Sequence, residues 1–166
     1  MTYFVVIRGP AGVGKTTVSK RLAKQLNMKY ISLDEVLHNE TNLEQRNTKS
    51  VPKENWKEVN EIIIPRANEI LKKGKNVIFD GNFYHKDYLL DLVKNIKTKG
   101  YVFTLKACVE TCMKREKKRD NKYKIGKKEI EIVHEMASQF SHGIDIETDG
   151  KSVDEVINEI KKHLEI

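Results

Sequence analysis

Short apolar runs recur along the chain at intervals that suit the strands of a buried sheet. They occupy residues 2–7 (TYFVVI), 29–33 (KYISL), 76–80 (NVIFD), 101–107 (YVFTLKA) and 143–147 (GIDIE). Runs that are rich in β-branched and aromatic residues are typical of strands buried on both faces of a parallel sheet. The pattern therefore predicts five strands.

Between these runs, apolar residues lie three and four positions apart, which is the spacing of one face of a helix. Pro65 interrupts one such pattern and predicts a kink or a division of that helix, because proline lacks the backbone donor. Residues 38–55 are polar with little periodicity and predict a loop or a weak helix. The helical patterns are those of Val18, Leu22 and Leu26; Trp56, Val59, Ile63 and Ala67; Leu89, Leu92 and Ile96; Ile130, Val133 and Ala137; and Val153, Val156 and Ile160.

The alternation of strands and helices predicts the fold class. Successive parallel strands need right-handed crossover connections, and these connections place helices on both faces of the sheet. We therefore expect an α/β protein with three layers and a five-stranded parallel sheet, formed by residues 1–166 as a single domain. In such a sheet, ligands bind beside the carboxyl ends of the strands.

A glycine-rich segment, GPAGVGKTT, follows the first predicted strand and fits the pattern G-x-x-x-x-G-K-[ST]. In this pattern the glycines let successive backbone N–H groups point at phosphate oxygens. The lysine reaches the β- and γ-phosphates, and the hydroxyl can bind Mg²⁺. The segment therefore predicts a nucleotide-binding phosphate loop (P-loop). Its residues are Gly9, Pro10, Ala11, Gly12, Val13, Gly14, Lys15, Thr16 and Thr17.

A second signature ends the third predicted strand, where VIFDGN brings Asp80 to the edge of the sheet that carries the P-loop. A carboxylate at that position can hold Mg²⁺ directly or through a water molecule. The alternative is that Asp80 caps a turn together with Gly81, since Asp-Gly is also a common turn pair. Thr16 and Asp80 are thus the candidate metal ligands.

The charge of the chain is concentrated in one segment. The formal net charge is +7, and residues 114–128 (KREKKRDNKYKIGKK) carry nine Lys or Arg against two acidic residues. Such a run is typical of a solvated helix face, but it also suits a nucleic-acid patch or a cationic flap over a nucleotide.

Length and composition narrow the remaining classes. A chain of 166 residues with 39% apolar composition suits one domain. No apolar run approaches the ~20 residues of a membrane-spanning helix, and the sequence begins with a strand pattern instead of a signal peptide. We therefore expect a cytoplasmic protein with no membrane partner. Cys108 and Cys112 are predicted to be core thiols on one helix face rather than metal ligands or a redox pair.

Other nucleotide-binding classes fit less well. GTPases need an N-K-x-D element to read the base, and the nearest string, NKYK at residues 121–124, lacks the aspartate. GPAGVGKTT, ISLDEV, VIFDGN and the basic segment together resemble the small P-loop kinases of the nucleoside-monophosphate-kinase-like group. That group includes zeta-toxin-like, polynucleotide, adenylylsulfate, chloramphenicol and gluconate kinases. The resemblance is weakest over residues 35–75, which face the acceptor by analogy.

The resemblance implies a role for each matching residue. Lys15 and Thr16 match the phosphate-binding lysine and the metal-binding hydroxyl, and Asp80 matches the Walker B acid. Asp34 matches the carboxylate that activates or orients the acceptor hydroxyl. The resemblance thereby implies ATP and Mg²⁺ as the cofactors.

The same resemblance implies that residues 114–128 form a basic helical lid in which Arg115 and Arg119 match lid arginines. A planar guanidinium can bind two of the oxygens over which a transferred phosphoryl group spreads its charge. Arginines four positions apart also share one face of a helix. The alternative for both is an ordinary surface arginine.

Asp34 also has a purely structural interpretation. A carboxylate that ends a strand at this edge of the sheet can accept the proton of an acceptor hydroxyl. However, aspartate is equally common as the cap of a helix, and a helical pattern starts near Glu35. Three lesser candidates follow. His85 could contact the acceptor, although an ordinary surface-loop histidine is preferred. Arg46 and Trp56 could also contact it, with core packing preferred for Trp56.

The expected function is transfer of the γ-phosphoryl group of ATP to a hydroxyl of a small-molecule or nucleotide-like acceptor. One alternative is a nucleic-acid kinase. The positive charge of the basic segment favours this alternative, whereas the scarcity of aromatic residues for base stacking in that segment argues against it. A second alternative is a nucleotide-gated binding protein with slow ATPase activity. The sequence is compatible with a monomer or a homodimer.

Overall fold

The computed structural model of the protein describes residues 1–41, 51–119 and 125–164. Within these ranges strands and helices alternate as the sequence predicts. The elements are β1 (Tyr3–Arg8), α1 (Lys15–Gln25), β2 (Lys29–Ser32), α2 (Leu33–Glu40), α3 (Lys53–Lys72), β3 (Val77–Asp80), α4 (Lys86–Asn95), β4 (Lys99–Lys106), α5 (Val109–Lys117), α6 (Lys127–Ser138), β5 (Ile144–Glu147) and α7 (Val153–His163).

The five strands form one parallel sheet in the order β2-β3-β1-β4-β5, so β1 lies at its centre. The register places Asp80 of β3 between Ile7 of β1 and Ser32 of β2. The carboxyl ends of three neighbouring strands therefore meet at one level, and the segments that follow them share one edge. This arrangement confirms the predicted α/β fold class.

Helices cover both faces of the sheet, and side chains of β1 point alternately to the two resulting cores. Phe4 and Val6 belong to one apolar cluster, whereas Val5 and Ile7 belong to the other. This alternation is the pleat of a strand that is buried on both sides. The first cluster packs under α2, α3, α4 and α6, and the second packs under α1 and α7.

For two helical patterns the structure selects among the alternatives that the sequence left open. The helix that contains Pro65 is a single element, α3, from Lys53 to Lys72. Pro65 is exposed, as is Glu61, whose carbonyl would have received the missing hydrogen bond, so water can satisfy that carbonyl. The polar region starting at residue 38 begins inside a helix, because α2 continues to Glu40.

The prediction that both cysteines are core thiols is half wrong. Cys112 is fully buried in α5, but Cys108 is exposed and precedes the helix as its N-cap residue. The four-residue spacing does not align the two thiols because Cys108 has an extended backbone. Within the described ranges, the helices are too short or too polar to cross a lipid bilayer.

Candidate active site

The P-loop connects β1 to α1 and leaves the start of the helix free of side-chain caps. Gly12 has φ +79° and lies so close to α5 that a Cβ atom would approach the Cys112 carbonyl oxygen to 2.4 Å. Gly14, in the left-handed conformation with φ +105°, is the N-cap residue of α1. Neither a side-chain cap nor an acidic residue occupies the first turn of α1. Its N–H groups and the positive end of its dipole therefore suit an anion such as phosphate.

A cavity of about 560 Å³ lies directly over this helix start. Its floor is formed by residues 12–18, and its walls are residues of α5 and the beginning of α7. The volume is within the usual range for small-molecule and cofactor sites. Thr16 and Thr17 both line the cavity. The cradle and the cavity thus fit a nucleotide whose phosphates rest on the P-loop.

Lys15 is the charged group at the centre of the site. Its side chain is buried, and Nζ donates a hydrogen bond to the Pro10 carbonyl at 2.8 Å. Burial lowers the pKa of Lys15, while the negative charges of Asp80 and Asp34 act in the opposite direction. Both carboxylates therefore act on the same ammonium group, although their positions in the sequence are far apart.

Asp34 lies in the first turn of α2, one residue after the helix begins. The cap of this helix is Ser32, whose Oγ accepts a hydrogen bond from the Glu35 N–H at 3.3 Å. The interpretation of Asp34 as the helix cap is therefore wrong, because β2 ends earlier than its apolar pattern suggests. Burial raises the pKa of Asp34, and the charge of Lys15 opposes this rise.

Asp80 ends β3 and is only 4% exposed. Its Oδ2 accepts a hydrogen bond of 2.8 Å from the phenol of Tyr30, which lies on β2. The neighbouring Gly81 N–H donates to the Ile7 carbonyl, so the turn after β3 is held by the backbone of β1. Burial raises the pKa of Tyr30, and so does the charge of Asp80, which keeps the phenol protonated.

The described residues contain no group of three or more His, Cys, Asp or Glu side chains that could form a metal centre by themselves. A site for Mg²⁺ built from Thr16 and Asp80 would thus depend on phosphate oxygens and water for its remaining ligands. This is the usual situation for Mg²⁺, which retains several waters and binds through one or two carboxylates and substrate phosphates.

The two arginines of the basic segment have different surroundings. Arg115, in the last turn of α5, donates hydrogen bonds of 2.9 Å to the Val13 carbonyl and to both the hydroxyl and the carbonyl of Thr148. Arg119 follows the helix, lies on the wall of the cavity and contacts Glu116 at 3.4 Å. They do not share a helix face as predicted, because α5 ends at Lys117. Of the predicted lid 114–128, residues 120–124 lie outside the described part.

The positive charge of Arg119 reaches both sides of the site. It lowers the pKa of Lys15 and counteracts the rise in the pKa of Asp34. The structure thus brings Lys15, Asp34, Asp80 and Arg119 into one electrostatic cluster at the carboxyl edge of the sheet. Arg115 instead ties the P-loop to the segment after β5.

Three residues that contribute to this site are missing from the sequence-based candidates. Thr148 accepts a hydrogen bond from Arg115, and Tyr30 donates a hydrogen bond to Asp80. Glu116 is buried and accepts hydrogen bonds from Arg119 and from the Ile125 N–H. Its position as an acid inside the basic segment is the one signal that could have identified it. Nothing in the local sequence marks Tyr30 or Thr148.

Two of the lesser candidates, Trp56 and His85, line a small cavity together with Leu33, the residue before Asp34. Trp56 is buried, and its Nε1–H donates to the Tyr84 hydroxyl at 3.1 Å, so the preferred prediction of core packing is confirmed. His85 is half-buried and precedes α4 as its N-cap residue. Arg46 lies outside the described residues.

Comparison with known proteins identifies the family and the fold of the chain. The family model described as an AAA domain (AAA_33) matches residues 4–142. A crystal structure of a sugar kinase from Janibacter sp. superposes with a TM-score of 0.82, at 17% identity over 100% of this chain and 96% of the other. The five-stranded parallel sheet with helices on both faces is that of a P-loop kinase fold.

Two curated relatives make the relationship more specific. The protein named "Putative adenylate kinase" from Pyrococcus furiosus is 33% identical over 162 residues, which cover 94% of this chain and 81% of that protein. A shikimate kinase from Francisella tularensis is 23% identical, over 96% and 93% of the two chains. The chain belongs to the AAA_33 family of P-loop proteins. The resemblance to small kinases is confirmed at this level, without assignment to the zeta-toxin-like or polynucleotide-kinase-like subgroup.

Proposed function

We propose that the protein is an ATP-dependent phosphotransferase that moves the γ-phosphoryl group of ATP to a hydroxyl of a small-molecule or nucleotide-like acceptor. The observation that carries the proposal is the electrostatic convergence of Lys15, Asp34 and Asp80. Lys15 belongs to the phosphate cradle, whereas Asp34 belongs to a helix outside it. The arrangement offers a cation for the donor phosphate and a carboxylate for the acceptor.

On the donor side, the N–H groups at the start of α1 bind the phosphates, and the rest of the nucleotide occupies the cavity between α5 and α7. The Nζ of Lys15 exchanges its hydrogen bond with Pro10 for one with a phosphate oxygen. Thr16 and Asp80 would hold Mg²⁺, which supplies neutralising charge at the β- and γ-phosphates.

On the acceptor side, Asp34 accepts the proton of the acceptor hydroxyl while the hydroxyl oxygen forms a bond to the γ-phosphorus. The bond between that phosphorus and the β–γ bridging oxygen breaks, and ADP leaves. Arg119 lies where its guanidinium can stabilise the charge on the phosphoryl oxygens during transfer. The raised pKa of Asp34 improves it as a base, because a more basic carboxylate takes a proton more readily.

The name of the archaeal relative suggests adenylate, whose acceptor group is a phosphate, as the specific alternative. The surroundings of Asp34 favour a hydroxyl. A half-buried carboxylate repels a phosphate dianion, and this repulsion strengthens as water is excluded. A neutral hydroxyl avoids the repulsion and uses the carboxylate as a hydrogen-bond acceptor.

The test is an ADP-release assay with ATP and Mg²⁺ over separate acceptor pools. The pools contain polyols and sugar acids, nucleosides, nucleoside monophosphates, and 5′-hydroxyl oligonucleotides. We expect strong release with a hydroxyl-bearing small molecule or nucleoside, and loss of that release in Asp34→Asn. Release with monophosphates alone would replace the hydroxyl by a phosphate acceptor.

The two other functions proposed from the sequence give different results in the same assay. A nucleic-acid kinase would respond only to the oligonucleotide pool. A nucleotide-gated binding protein would release ADP at the same slow rate with every pool. Its Lys15→Ala variant would release no ADP. A product isolated from the responding pool and analysed by mass spectrometry identifies the phosphorylated position.

A further inference from the structure

We propose that Tyr30 is a positioning residue that orients the Asp80 carboxylate for the metal ion of the reaction. This inference rests on the proposed function in one respect, the assignment of Asp80 as a metal-binding carboxylate. The hydrogen bond from the Tyr30 phenol to Asp80 Oδ2, 2.8 Å long, is the contact that carries it.

The sheet register explains why these two side chains meet. Tyr30 of β2 lies opposite Ile78 of β3, and Asp80 is two residues further along β3. Residues two apart in a strand point to the same face, so Tyr30 and Asp80 both face α1. The long tyrosine ring spans the diagonal between the strands, which places its hydroxyl at the carboxylate.

The surroundings hold the phenol in this position. Tyr30 lies on an edge strand, and the ammonium group of Lys20 lies over its ring at 5.4 Å from the centroid. Asp80 is almost completely buried, so little water is available to fix the orientation of its carboxylate. The phenol occupies Oδ2 and directs Oδ1 as the oxygen for Mg²⁺ or its bound water. Hydrogen bonds of this kind determine how well a metal ligand is oriented.

The same strand also positions the acceptor side. Ser32 lies two residues after Tyr30, pairs in register with Asp80, and caps the helix that carries Asp34. β2 therefore fixes the metal carboxylate through Tyr30 and the acceptor carboxylate through Ser32.

Tyr30→Phe is the appropriate variant because it keeps the ring and removes only the donor. The readout is binding of Mn²⁺ as a probe for Mg²⁺, measured by the electron paramagnetic resonance of free Mn²⁺ with a non-hydrolysable ATP analogue present. We expect Mn²⁺ binding to the protein–nucleotide complex to weaken about tenfold. Binding of the analogue in EDTA should be unchanged. Tyr101→Phe is the matched control, since Tyr101 also lies under a lysine ammonium on the same face of the sheet but contacts Tyr3 near the amino end of β4.

A double-mutant cycle with Asp80→Asn separates orientation of the carboxylate from general packing. If Tyr30 acts through Asp80, adding Tyr30→Phe to Asp80→Asn has little further effect on Mn²⁺ binding. Equal Mn²⁺ binding by the parent and Tyr30→Phe would overturn the proposal. Additive losses in the double variant would also overturn it, as would Mn²⁺ binding that does not depend on Asp80.

The experiment needs no acceptor, so its outcome is distinguishable from the fate of the proposed reaction. A Tyr30 effect without any phosphorylated acceptor would leave the metal assignment intact and reject only the phosphotransferase. If Tyr30→Phe is poorly folded by circular dichroism, Lys20→Ala provides a second variant. It frees the ring while keeping the phenol, and a several-fold weaker Mn²⁺ binding is expected, whereas unchanged binding would count against the proposal.

Discussion

Arg115 and Val13 join the last turn of α5 to the P-loop, through a hydrogen bond of 2.9 Å from Nη1 to the Val13 carbonyl. The same guanidinium binds the hydroxyl and the carbonyl of Thr148, in the connection between β5 and α7. Three segments that border the nucleotide cavity are therefore held by one side chain. This makes Arg115 a positioning residue for the cradle in this structure, whereas its role at the phosphates stays a prediction from the resemblance.

Arg115→Ala should lower both the stability of the protein and its affinity for ATP. Hydrogen bonds to a charged group contribute about 1.5–3 kcal/mol each, and truncation here removes three without providing substitutes. Because Arg115 is half-buried and water can replace part of these bonds, the expected loss in the free energy of unfolding, measured with urea, is about 3 kcal/mol, less than the full sum. Lys114→Ala, a neighbouring cation on the same helix, is the control and should be almost neutral. Unchanged stability in Arg115→Ala would mean that the three contacts are not formed in solution.

Arg119→Ala should reduce turnover more than it reduces the affinity for ATP. Its partner charge on the phosphoryl oxygens is greatest in the transition state, whereas its contact to the buried Glu116 does not involve the reacting atoms and should affect stability instead. Steady-state kinetics give the two parameters separately. Lys118→Ala, also on the cavity wall, serves as the comparison. A rise in KM for ATP with constant kcat would reduce Arg119 to a ground-state contact.

Lys15→Ala should keep its fold but lose the response to nucleotide. The backbone cradle remains, whereas the ammonium that reaches the phosphates is removed. In thermal unfolding, an ATP analogue should raise the melting temperature of the parent protein, because it binds the folded state. The melting temperature of the variant should not change. Stabilisation of Lys15→Ala by the analogue to the same extent as the parent would refute the P-loop assignment.

Asp34→Asn should bind ATP normally and transfer the phosphoryl group poorly. Removal of a general base typically lowers turnover about 10²- to 10⁴-fold. Because Ser32 caps α2, the substitution leaves the cap intact, and because it removes a charge that burial disfavours, the melting temperature at neutral pH should not fall. Glu35→Gln neutralises the adjacent exposed acid and is the matched control. Parental turnover in Asp34→Asn would remove Asp34 from the acceptor side.

The pH dependence of turnover should also report on Asp34. Burial raises its pKa above the ordinary value for aspartate, and only the ionised form can accept a proton. Turnover should therefore fall as the pH decreases through this raised pKa, at a higher pH than for an exposed aspartate. Asp34→Asn should lack this acidic limb. If turnover of the variant falls over the same acidic pH range, the titrating group is not Asp34.

The same shift in pKa has a consequence for stability with a defined sign. A carboxyl whose pKa is higher in the folded protein binds its proton more tightly there than in the unfolded chain. Its contribution to stability is present at low pH and is lost as the pH rises through the folded-state pKa. Comparison of urea unfolding at several pH values should show a smaller loss of stability with rising pH in Asp34→Asn than in the parent.

The sheet, the P-loop and most of the charged residues of the site are predicted from the amino-acid sequence alone. These features depend on local patterns. Apolar runs such as residues 76–80 predict buried strands, and the glycines at positions 9, 12 and 14 predict a phosphate cradle. Because parallel strands end at a common edge, the pattern also predicts that Asp34 and Asp80 lie near Lys15.

The contacts of each side chain, in contrast, follow from the tertiary structure. The contact between Tyr30 and Asp80 depends on the register of β2 and β3, and that between Arg115 and Thr148 joins residues 33 positions apart. Ser32 is the N-cap residue of α2, because β2 ends one residue earlier than its apolar pattern indicates. A local pattern predicts whether a residue is buried and on which face of its strand or helix it lies. The partner of that residue depends on how distant segments of the chain pack against each other.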